Sequence, residues 1–119
     1  MKIHPDMTVD QLVIAFSESY PGLRLELYNE AHKEGENSSA DSEIDHSVKL
    51  SDLNSTLKAQ DWQVDPQMTV ADFEAGFKDN FGLNIQVFRR SNNVWLQTSA
   101  TDNWTLEVQN RKGLHSVQG

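Results

Sequence analysis

The residue types that could do chemistry in this chain crowd into one polar stretch, Glu30 to Ser47. Asp45-His46-Ser47 sets the three members of a nucleophilic triad side by side. Working triads are assembled from distant segments, because neighbours in a loop cannot hold a base between its nucleophile and its acid. The adjacency therefore reads as coincidence. None of Ser38, Ser39, Ser42 or Ser47 lies in the Gly-x-Ser-x-Gly elbow that exposes a serine nucleophile. Asp41-x-Glu43-x-Asp45 opens like a calcium loop, but His46 stands where the sharp turn needs glycine and Asp52 where a bidentate glutamate belongs. The whole stretch reads as a long solvated loop.

Metal and cofactor chemistry find no better footing in the sequence. The four histidines, His4, His32, His46 and His115, include no pair at helical i,i+4 spacing, and the chain has no cysteine. That pattern argues against a zinc site and assigns the histidines to the surface. The six glycines fall at turns and helix ends, apart from Gly76 inside a helix, which reads as a close-packing point; none builds a phosphate-binding loop. The sequence thus predicts no catalytic residues, no metal ligands and no cofactor.

Charge narrows the partners. Eighteen acidic residues against ten basic ones give a net charge of −8, and only Arg89-Arg90 and Arg111-Lys112 are adjacent basic pairs. Nucleic-acid affinity is drawn largely from phosphate neutralisation, so DNA and RNA are not expected partners. Met1 to Asp6 lacks the apolar stretch of a signal peptide, and no apolar run approaches the roughly 20 residues of a membrane helix. The expectation is a cytoplasmic protein with no membrane contact.

The elements that position these residues come from a repeat. With Lys2–Tyr28 set against Gln63–Phe88, Pro5 meets Pro66, and Met7-Thr8-Val9 meets Met68-Thr69-Val70. Phe16 meets Phe77, Tyr20 meets Phe81, and after the extra Pro21 the pair Gly22-Leu23 meets Gly82-Leu83. In each half a short extended segment holding Ile3 or Val64 leads to a threonine N-cap, Thr8 or Thr69, with Gln11 or Asp72 at the third helical position. Val9, Leu12, Val13 and Phe16 keep helical spacing, as do Val70, Phe73 and Phe77. Gly22 and Gly82 are placed to end the helices in a left-handed conformation. Leu23, Leu25 and Leu27 then alternate with polar residues as a half-buried strand does, and Leu83, Ile85 and Val87 do the same. Leucines 50, 53 and 57 predict a helix from about Leu50 to Lys58. Val94–Thr98 predicts a strand joined to its predecessor by a Ser91-Asn92-Asn93 turn. Asp102 or Thr105 is placed to cap a last helix ending near Gly113.

The alternation excludes a doubly wound parallel sheet, whose strands are apolar on both faces. The fold class expected is α+β: one pseudo-twofold domain over residues 1–119, built from two tandem βαβα-like repeats at about 1–58 and 62–113. Its sheet is expected to be mixed, with helices mainly on one face; a ferredoxin-like split βαβ pair is the alternative. The Pro-x-Met-Thr-Val openings, with Val94–Thr98 and Asp102-Asn103-Trp104-Thr105-Leu106, resemble a family of small bacterial proteins of the Bacteroidetes type. The resemblance covers most of the chain and implies neither an activity nor site residues.

One surface feature remains. If the leucines of the first strand face the helices, Tyr28, Phe88 and Trp95 face away among Arg24, Glu26, Gln86 and Gln97. Aromatics set among polar groups on an open sheet face suit recognition of a protein partner or a second copy of the chain. Burial is the competing account: Tyr28 and Phe88 tucked under a loop and Trp95 beneath the last helix, since a helix covering that face would bury all three. Trp62 and Trp104 are assigned to packing near element ends. The function expected is a non-enzymatic protein-binding or adaptor domain with Tyr28, Phe88 and Trp95 as binding residues. A small-ligand binder or enzyme with a cleft between the two repeats, and a regulator of a basic macromolecule, are the other readings.

Overall fold

A computed structural model describes residues 1–29 and 43–118. The first helix, α1 (Val9–Ser19), starts where Thr8 accepts the amide of Gln11 and the Gln11 side chain accepts the amide of Thr8, a complete capping box. Helix α3 (Val70–Phe81) starts in the same way at Thr69, which accepts the amide of Asp72. Gly82, at φ 66°, closes α3 in the left-handed region. Helix α1 ends instead at Tyr20, whose backbone is not left-handed, so Gly22 has another task described below.

Strands β2 (Leu23–Tyr28), β4 (Asn84–Ser91) and β5 (Val94–Gln97) form one sheet in the order β2-β4-β5. Both ladders are antiparallel, which corrects the expected mixed sheet. β4 and β5 are joined through Asn92-Asn93, with Asn92 at φ 53°, as the turn residues suggested. β1 (Lys2–Ile3) pairs with β3 (Gln60–Asp61) in a separate two-stranded ladder, so the single sheet of a ferredoxin-like arrangement is not formed. β3 lies ahead of the extended segment expected around Val64, and the Met1 amino group holds that register by donating to Asp61 and the Trp62 carbonyl.

Two other boundaries differ from expectation. Helix α2 is one turn, Leu50–Leu53, rather than a helix to Lys58. Asn54 ends it by accepting from Thr56 and donating to the Phe81 carbonyl, and such local side-chain bonds compete with helix propagation. Helix α4 (Leu106–Gln118) runs past Gly113. Thr105 accepts the amide of Val108 at its start, so of the two candidates Thr105 is the cap.

The two helix openings use the same backbone scheme. In the first, Val9 and Asp10 donate to Val48 and His46, while Leu50 and Ser51 donate to Met7 and Pro5. In the second, Val70 and Ala71 donate to Trp104 and Asp102, while Leu106 and Glu107 donate to Met68 and Pro66. The β2–β4 register is symmetric as well: Leu25 lies opposite Val87, Leu27 opposite Ile85, and Glu26 opposite Gln86. One apolar core gathers Leu12 and Phe16 of α1, Phe73 and Phe77 of α3, the inward residues of β2 and β4, and Leu106 of α4. Among the described residues, no helix is long and apolar enough to cross a membrane.

Candidate functional site

The outer face of the sheet, away from the core, carries Arg24, Glu26 and Tyr28 from β2, Gln86 and Phe88 from β4, and Trp95 and Gln97 from β5. It is not an open polar surface. Glu26, Tyr28 and Gln86 are buried at 4%, 2% and 0% exposure, while Phe88 and Trp95 are half-buried. Part of the cover is the segment that follows residue 42. The Ile44 amide donates to the Leu27 carbonyl, Glu43 forms a bridge with Tyr28, and Ile44 is itself buried in the core. An apolar residue in a polar run thus pins the loop to the free edge of β2.

That pinning delivers Glu43 and His46 to Glu26. The Arg24 guanidinium holds Glu26 Oε1 from Nε at 2.9 Å and from the second nitrogen at 2.7 Å. His46 Nε2 lies 2.7 Å from the other oxygen, Oε2, and His46 Nδ1 lies 3.3 Å from Asp10 Oδ1 on α1. Glu43 lies beside Glu26, and burial and the Glu26 charge hold its carboxyl above its ordinary range. His46 is raised too, chiefly by its bond to Glu26 and despite partial burial. Burial raises the Tyr28 phenol, with Glu43 and Glu26 adding to it.

Beside this cluster opens a cleft of about 200 Å³ lined by Arg24, Glu26, Glu43, Phe88 and Trp95. It brings residues of the first half of the chain, Arg24, Glu26 and Glu43, against two rings of the second. Arg90 lies over the Trp95 ring at 5.5 Å and covers part of it.

The other sequence candidates fall elsewhere. Ser47 donates both its amide and its hydroxyl to Asp45, at 2.8 and 2.6 Å, while His46 turns away to Glu26, so no triad geometry exists there. Asp41, Ser38, Ser39, Ser42 and His32 lie outside the described residues. His4 and His115 are exposed, as expected, whereas His46 is held between two acids. Trp62 stacks on Phe73 at 5.6 Å and meets Phe77 edge-on, in a packing role, and Gly76 lies beneath its ring. Trp104 receives Arg89 over its ring at 5.4 Å.

Sequence reasoning missed Glu26, Glu43 and His46 as a group, because each was weighed with its chain neighbours. The available signal was Ile44, whose apolar side chain forces its flanking residues against the sheet. Together the fold and site define an α+β domain with a charged cluster and an aromatic-walled cleft on its outer sheet face. Comparison with protein-family models, curated proteins and solved structures finds no match.

Proposed function

We propose that this chain is a non-enzymatic recognition domain that binds a segment of a protein partner across the outer face of its sheet. The observation that carries this reading is the cleft in which the half-buried rings of Phe88 and Trp95 stand against Arg24, Glu26 and Glu43. Rings with one covered and one accessible face supply apolar area at small entropic cost, and the adjoining charges fix orientation. β5 adds to the surface as the outer strand of the sheet, with Trp95 and Gln97 on the same face as Phe88. Tyr28 has no place in the contact: at 2% exposure it serves as a wall behind Glu43 rather than a binding residue.

The matched backbone bonds at the two helix openings, with the symmetric β2–β4 register, support reading the halves as copies of one unit. On that reading the cleft arose where the copies meet. A cytoplasmic setting, suggested by the lack of cysteine, belongs to the same reading.

The test is selection from a displayed peptide library against the wild-type chain, Phe88→Ala and Trp95→Ala. Peptides enriched by wild type should be lost by both variants while their far-ultraviolet circular dichroism is unchanged. Failure to enrich any peptide, or equal capture by Trp95→Ala, would remove this face from recognition. Light scattering over a dilution series then shows whether a second copy is the occupant.

A further inference from the structure

The cluster beneath the cleft carries a second inference, independent of peptide recognition. One donor atom each from Glu26, Glu43 and His46 lies within 4.8 Å of the others. Three donors sharing one ion at bond lengths of about 2.0–2.2 Å stand at most about 4.4 Å apart, so only small side-chain adjustments separate the cluster from a coordination sphere. We propose that Glu26 Oε2, a Glu43 oxygen and His46 Nε2 bind one divalent transition-metal ion of the zinc type, with the remaining coordination positions open.

The groups around the donors are what distinguish this cluster from a chance gathering of acids. A metal-bound imidazole characteristically gives its other ring nitrogen to a carboxylate, and a metal-bound carboxylate is itself hydrogen-bonded. Both arrangements are present: Asp10 meets His46 Nδ1, and Arg24 holds Glu26 by Oε1, leaving Oε2 to the site. The donors come from two segments and are oriented by a third: β2 supplies Glu26, the pinned segment supplies Glu43 and His46, and α1 supplies the orienting Asp10. An imidazole in a set of only three donors favours a borderline transition ion over calcium or magnesium, which take oxygen ligands. Glu43 is exposed, which leaves a path for the ion, and Glu26 and Glu43 also line the cleft.

The experiment is calorimetric titration of the metal-stripped full chain with zinc ion alone, repeated for His46→Gln, Glu43→Gln, Asp10→Asn and His115→Gln. Glu26 is left intact because it also anchors Arg24 and the pinned segment. Wild type and His115→Gln should take up one equivalent. His46→Gln and Glu43→Gln should weaken binding at least tenfold with circular dichroism unchanged, and Asp10→Asn by about tenfold as an outer partner. Cobalt ion should acquire visible absorption in wild type that His46→Gln abolishes. No saturable uptake by wild type, or equal affinity in His46→Gln and Glu43→Gln, would overturn the proposal. The recognition reading is tested at Phe88 and Trp95 and this one at His46 and Glu43, so each can fail alone.

Discussion

Tyr20 and Tyr28, the chain's two tyrosines, make burial measurable at the level of single residues. Burial raises both phenols, with Asp65 adding to the effect at Tyr20 and Glu43 and Glu26 at Tyr28. An unfolded chain releases these protons near the ordinary value of about 10, whereas the folded chain keeps them. The stability this confers is full below that value and falls as pH rises through the folded-state values. In an alkaline titration, phenolate absorbance should therefore stay low past the ordinary midpoint and rise together with loss of the circular-dichroism signal. Two tyrosines titrating with an ordinary midpoint in an intact fold would contradict their placement. The candidate cluster shows the limit of reading residues one at a time. Glu26 looks like the polar half of an alternating strand, and His46 like a loop histidine. Their meeting depends on where Ile44 docks, and no spacing between residues 26 and 46 encodes that.

At the scale of elements, the clearest consequence lies where α4 crosses the start of β2. Gly113 packs its backbone against the Gly22 carbonyl, and Gly22 packs against the backbone of Asn110 and Leu114. The Gly22 amide also donates to the Asn110 side chain at 2.7 Å. Alanine in place of a mid-helix glycine ordinarily stabilises by about 1 kcal/mol. Here a Cβ on Gly113 would collide with backbone, which cannot rotate away, so Gly113→Ala should destabilise by roughly 1–3 kcal/mol. A thermal melt decides the sign. Thr8→Ala should cost about 1 kcal/mol through loss of its cap. These cases also show which elements could be read from sequence. Caps, helical spacing and strand alternation are local, so α1, α3, β2 and the β4–β5 hairpin were legible. Gly22 and Gly113 were misread as helix stops because close approach and chain reversal call for the same residue. The extent of α2 was misjudged because Leu57 is buried without being helical. Strand pairing, which makes the sheet antiparallel throughout, is not written in either strand alone.

For the whole molecule, the rings set the cooperativity. Phe16 of α1 stacks on Phe73 of α3 at 5.4 Å, and Trp62 extends the stack across Phe73 to Phe77 and Phe81. Neither half of the chain completes a core without the other. Urea unfolding should be a single transition, with tryptophan fluorescence and circular dichroism coincident. Phe73→Ala should lower stability by about 3–5 kcal/mol. Fragments 1–58 and 62–119 should each be unfolded alone by circular dichroism. Independent folding of either fragment would show that the shared core is dispensable.

The β2–β4 register has one more consequence. Wherever two like strands cross an axis of twofold symmetry, the residue on the axis faces its own image, and a buried glutamate there would face a second glutamate. In this chain Glu26 lies opposite Gln86, which has the shape of a glutamate side chain without its charge. A single polypeptide permits that inequality; a dimer of identical subunits cannot have it. Like charges placed directly opposite repel, so Gln86→Glu would set two buried carboxylates face to face in the middle of the β2–β4 ladder and should lower stability.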